Sequence, residues 1–116
     1  MTDSLAAHRR LTADATAEPL EPLLLEPADV RAGRPAAGIR PLARHGTAEV
    51  GVWELTPGTV TDVEADEVFV VVAGRGAVTF ADGSTVDLRP GTVVRLHAGE
   101  RTTWEVTETL RKVYLA

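Results

Sequence analysis

The 116-residue chain contains no cysteine. Disulfides, thiolate nucleophiles and cysteine-based zinc centres are therefore excluded. Aromatic residues are scarce, with two Trp, two Phe and one Tyr, so the core has to be built from Val, Leu and Ala. Valine richness favours strands. Positive charge is also in short supply: twelve Lys and Arg stand against seventeen Asp and Glu, a net charge of −5. A nucleic-acid binder needs a basic face to neutralise phosphates, and docking on an anionic membrane needs one too. Neither partner is expected. No apolar run approaches the roughly 18 residues of a membrane span, and residues 1–30 lack the apolar segment of a signal peptide. The expectation is a soluble, cytoplasmic protein of one domain.

The composition changes along the chain. Residues 1–47 hold Pro19, Pro22, Pro27, Pro35 and Pro41. Within them, Met1 to Ala17 reads as a weak helix, with Leu5, His8 and Leu11 on one face, or as a disordered tail. Leu20 to Pro27 is too broken by proline for a helix or a central strand, and Leu23 to Leu25 are expected to pack as an extended arm. Pro27 to Arg31 can open a short helical turn. From Ala48 the pattern becomes one of short strands separated by turns. Glu49 to Thr56 is a strand with apolar groups on both faces. Thr56-Pro57-Gly58-Thr59 turns it, and Val60 to Asp66 is an acidic loop or bulged strand. Glu67 to Ala73 is the clearest strand. Gly74-Arg75-Gly76 is expected to turn it, Asp82-Gly83 makes a hairpin turn, and Arg89-Pro90-Gly91 and Ala98-Gly99-Glu100 turn the chain again. Thr102 to Thr107 and Leu110 to Leu115 are expected to form a last hairpin. Turns every eight to ten residues indicate an all-β barrel or sandwich.

Several residues then carry a family likeness. Gly58…Glu67-x6-Gly74 resembles the first cupin motif, and Pro90-Gly91…Ala98-Gly99 resembles the second. Val52-Trp53-Glu54…Thr56-Pro57-Gly58 and the tail Thr103-Trp104-Glu105-Val106 through Arg111-Lys112-Val113-Tyr114 resemble the small single-domain cupins of the ureidoglycine aminohydrolase-like group. The resemblance covers about residues 48–116. It implies a double-stranded β-helix, the jelly-roll cupin barrel, with residues 1–47 as an irregular, proline-rich N-terminal extension. It also implies a homodimer, since cupins commonly pair through barrel strands and the apolar arm needs a surface to cover it.

The same resemblance implies a metal site of histidines and a glutamate. Glu67 holds the glutamate position. The histidine pair falls on Thr61 and Val63, or on Val60 and Asp62, and the third histidine on Thr102. None of these is histidine, so no metal cofactor is expected beyond a weak divalent cation held by Asp62 and Glu67. Of the three histidines, His8 lies in the tail and His45 precedes a glycine. His97 sits at a strand end that borders the barrel mouth in cupins.

Strand alternation puts Glu67, Phe69, Val71 and Ala73 on one face. A carboxylate in an apolar barrel needs a cation. Lys112 is the candidate, on the face it shares with Leu110 and Tyr114, and Arg95 is a second. Glu67 and Lys112 therefore form the candidate proton-transfer pair, or else a surface salt bridge or an ion pair that only satisfies a polar core. Trp53, Phe69, His97, Trp104 and Tyr114 are the candidate substrate-binding residues, with plain core packing as the alternative for the aromatics. The acidic run Glu64 to Glu67 reads as a solvated rim from which only Glu67 points elsewhere. A small polar metabolite is the expected ligand, bound by an enzyme or by a non-catalytic accessory cupin.

Overall fold

A computed structural model describes residues 5–116. Their nine strands are β1 (Glu21–Leu23), β2 (Val30–Gly33), β3 (Ala37–His45), β4 (Ala48–Leu55), β5 (Gly58–Val63), β6 (Glu67–Phe80), β7 (Thr85–Leu88), β8 (Val93–Leu96) and β9 (Arg101–Leu115). All the ladders are antiparallel. The fold is an all-β barrel of curled antiparallel sheet, of the jelly-roll kind that the sequence leads one to expect.

Two long strands organise it. The first half of β9 lies between β5 and β6, and its second half lies between β4 and β6. The first part of β6 carries β8 on its other side, and the last part carries β7. β6 and β9 thus run the length of the barrel and join its two ends. The expected turn at Gly74-Arg75-Gly76 and the expected hairpin between Thr107 and Leu110 are both corrected here. Neither strand reverses, and the glycines instead mark bulges in one continuous β6·β9 ladder. Gly74 is required there. Its φ is +90°, and a Cβ on it would run into the carbonyl of Thr109. A glycine can thus signal a bulge or close backbone approach as well as a turn.

The remaining turns fall where the glycines put them. Asp82 caps the β6–β7 hairpin through its carboxylate, which accepts from the Ser84 N–H at 2.9 Å. Gly91 and Gly99 turn the chain with positive φ. The core is built largely of Val and Leu, including Leu55, Val71, Val78, Leu88 and Leu110, with Phe69 and Trp104 as its large members.

The N-terminal region is more ordered than its prolines suggest. Residue 47 does not mark a change of sheet, because β1, β2 and β3 all lie before it and pair with β3, β5 and β4 respectively. Pro22 is accommodated because β1 is an edge strand, where a missing N–H costs little. Pro27–Asp29 forms the short 3-10 turn expected there. The expected helix from Met1 to Ala17 is reduced to one 3-10 turn, Leu5–His8; residues 1–4 lie outside the described residues. Beyond that turn the chain is irregular and is held by Arg111. Its guanidinium donates to the carbonyls of Ala15 at 3.0 Å and Glu18 at 2.9 Å, and it pairs with Glu54 at 3.0 Å. Among the described residues no helix is long and apolar enough to cross a membrane.

Candidate functional site

The inward face of β9 presents Thr102, Trp104, Val106, Leu110, Lys112 and Tyr114, all buried. β4 brings Trp53 directly opposite Lys112. β6 brings Phe69 opposite Tyr114, with Glu67 at the start of the strand. These positions converge at one end of the barrel, beside a cavity of about 420 Å³.

Lys112 is the centre of the site. Its Nζ lies 2.6 Å from Glu67 Oε2, with the two side chains only 6% and 14% exposed. Three rings surround the ammonium: Phe69 at 4.3 Å, Trp53 at 4.6 Å and Trp104 at 4.8 Å from their centroids. The quadrupole of each ring attracts a cation over its face. The rings also pack on one another, with Trp104 5.6 Å from both Trp53 and Phe69. A chain with five aromatic residues in all spends three of them on one lysine.

Trp53, Trp104 and Tyr114 line the cavity, as do Glu67 and Lys112. Phe69 lies beneath the lysine and is fully buried. The Tyr114 phenol donates to Glu49 Oε2 at 2.7 Å. Burial first, and the Glu49 acceptor second, push its pKa up. Tyr114 lies across Gly51 on β4, and any Cβ at residue 51 would strike its ring.

Two expected members are elsewhere. His97 is exposed in the turn after β8 and does not line the cavity; its backbone N–H donates to the Glu100 carboxylate. Arg95 is also exposed, because on β8 it alternates with the buried Val94 and Leu96.

One residue of the site was hidden in the acidic run. Glu64 is only 8% exposed. Its Oε2 accepts from the Thr102 hydroxyl at 2.5 Å and from the Trp104 indole N–H at 3.0 Å. Backbone bonds between Glu64 and the turn at Gly99–Glu100 fix it there, and Asp66 accepts from the Ala98 N–H on the same turn. The run is therefore bonded to the neighbouring loop and is not a free rim. The signal lay in the spacing: Val60, Asp62 and Glu64 share a parity, and Val60 and Asp62 stand opposite Trp104 and Thr102. Asp62 itself is open at the cavity mouth. Partial loss of solvent, and then the nearby Glu64 charge, push its pKa up to about 6.

The side chains at the cupin metal positions do not suit a transition metal. The Thr102 hydroxyl is committed to Glu64, and Glu67 is committed to the Lys112 ammonium. Among the described residues no three His, Asp or Glu groups converge on a point that an ion could occupy. The positive charge beside Glu67 comes from the protein itself.

Residues 42–114 match the model of the EutQ-like cupin domain. The chain belongs to this family. None of the curated proteins matches the cupin, but solved structures do. A protein of unknown function from Pseudomonas syringae pv. tomato str. DC3000 superposes with a TM-score of 0.76 at 23% identity, over 88% of this cupin. The present chain spans only 45% of that protein's length. The EutQ protein of Clostridium difficile has a TM-score of 0.62 at 17% identity, covering 80% of this chain and 79% of its own. A protein of unknown function from Rhizobium leguminosarum bv. viciae 3841 has a TM-score of 0.60 at 27% identity, covering 80% and 93%. The first two likenesses carry the barrel alone, and the third has no chemistry attached to it.

Proposed function

We propose that this cupin binds a small polar metabolite in its barrel cavity, and that Glu67 and Lys112 move a proton on it. The observation that carries the reading is the 2.6 Å contact between the two charged groups at a cavity wall. A carboxylate and an ammonium at hydrogen-bond distance are a ready acceptor and donor for general acid–base chemistry. The finer reading is an enzyme of the ureidoglycine aminohydrolase-like kind, working without a histidine-based metal. It is supported by position, because Trp104, Lys112 and Tyr114 belong to the tail that resembles that group, and all three line the cavity. A structure named for ethanolamine utilization in Salmonella typhimurium LT2 shares the fold, with a TM-score of 0.62 at 16% identity, which adds ethanolamine to the compounds worth trying.

A second reading, a non-catalytic binding or accessory cupin, is favoured by the enclosure of Lys112. Rings cover the ammonium on several sides, so a substrate has limited access to it.

The test begins with a thermal-shift screen of small carboxylates, ureides, sugars and ethanolamine. The expected outcome is a compound that stabilises the protein and is converted by it. Glu67→Gln is then expected to lower turnover by about a hundredfold or more in protein that still folds, because the Gln carbonyl and the three rings keep partners on the Lys112 ammonium. Full turnover in Glu67→Gln overturns the proton-transfer role. A ligand that stabilises the protein and stays unchanged establishes the binding-only reading.

A further inference from the structure

We infer that the cavity selects a small organic cation, with the Glu64 carboxylate as its counter-charge. This rests on the reading of the cavity as the binding site and specifies what that site takes.

The charges lining the cavity are lopsided. Six carboxylates, those of Glu26, Asp29, Glu49, Asp62, Glu64 and Glu67, face one ammonium. That ammonium is already used by Glu67. Asp29 and Glu49 accept from hydroxyls, of Thr61 at 3.0 Å and Tyr114 at 2.7 Å, neither of which brings a positive charge. Glu64 is the extreme case. It is more than nine-tenths buried, both of its donors are neutral, and both reach the same oxygen, Oε2. Among the described residues nothing donates to its Oε1, and no Lys or Arg pairs with it. No partnerless side-chain oxygen among the described residues is fully buried, so Oε1 stays open at the cavity wall as a free acceptor, and a carboxylate with little water around it gains from a cation that reaches it. A cation in the cavity meets that open oxygen.

The surroundings decide what kind of cation. The carboxylates do not converge as a metal ion requires. Trp53, Trp104, Val60 and Leu25 give the cavity apolar and aromatic walls, which suit the body of an organic molecule and the face of a cation. Anionic ligands are disfavoured twice. They would enter among carboxylates, and the one lysine that would hold them is enclosed by rings.

Matched probes separate charge from shape. Guanidinium with urea, and ethanolamine with ethylene glycol, are nearly isosteric pairs that differ by one positive charge; glycolate supplies the anion. Binding is measured by calorimetry and by Trp fluorescence at neutral pH. In the wild type the cations are expected to bind about tenfold tighter than their neutral partners, the gain typical of a charge-assisted bond. Glu64→Gln keeps an acceptor for Thr102 and Trp104, and is expected to bring each ratio to within about twofold. Should that variant fold poorly, Asp62→Asn at the exposed mouth tests the neighbouring carboxylate of the same acidic lining, with an expected loss of cation preference of about two- to threefold. Equal binding of neutral and cationic partners, or preference for glycolate, overturns the inference and leaves the cavity reading standing. Failure of every probe to bind overturns both.

Discussion

Arg111 and Lys112 are neighbours on β9; both are basic and both are buried, yet they face opposite ways. On the outer face, Arg111 uses its planar fork to tie Glu54 and two backbone carbonyls of the N-terminal segment to the barrel. On the inner face, Lys112 presents a compact charge to Glu67 inside a box of rings. One strand therefore fastens the chain on one side and builds the site on the other. The residue types suit the two tasks. Guanidinium offers several donors in a fixed plane, whereas ammonium is a point charge. Their separation is set by strand alternation alone.

The contrast predicts unequal damage. The largest effect is expected for Lys112→Met, which strands the Glu67 carboxylate among apolar groups. Breaking a buried pair in this way costs about 3–5 kcal/mol, and urea denaturation is expected to show it. Adding Glu67→Gln to the same protein should restore a large part of the loss. If the single variant loses less than about 1 kcal/mol, the inner pair is no better buried than a surface one.

Arg111→Ala is expected to cost less, about 2 kcal/mol, and to act on the outer face. Residues 5–18 should then be cut by added protease about tenfold faster or more, while Lys112 stays in its ring box, as reported by Trp fluorescence. Equal proteolysis of variant and wild type would show that the latch is ornamental.

The smallest effect concerns the mouth of the cavity. Asp62 has a pKa of about 6 in the fold against a reference of 3.8, so the folded state holds this proton more tightly than the unfolded chain. Stability attributable to Asp62 therefore falls as pH rises from about 4 to about 6, and the penalty persists above that range. Asp62→Asn is expected to flatten that slope and to raise stability at neutral pH by less than about 1 kcal/mol, because the carboxyl is partly solvated. An unchanged pH profile of unfolding would remove Asp62 from the account.

Much of this was legible in the residues. Valine-rich runs punctuated by glycine turns indicate a barrel, and alternation places Glu67 with Phe69 and Lys112 with Tyr114. The Glu67–Lys112 contact follows from those two facts and the need of a buried carboxylate for a cation. What misled was local. A glycine looks the same whether it reverses a chain or admits a neighbouring backbone, so Gly74 passed for a turn. Acidic residues in a row look solvated, yet Glu64 is drawn inward by donors forty residues away. Pro22 argues against a strand in the middle of a sheet and is harmless at its edge. In each case the deciding partner is distant in sequence, and pattern within a short window does not contain it.

The long β6·β9 ladder also bears on how the chain reaches this state. β4, β5 and β6 all take β9 as a partner, and β9 is made after every one of them. Pairings between residues so far apart have to overcome loop-closure entropy before any contact rewards it, which slows folding. During synthesis three strands wait with open hydrogen-bonding edges for the arrival of one, and that interval is when this barrel is most exposed to association with other chains.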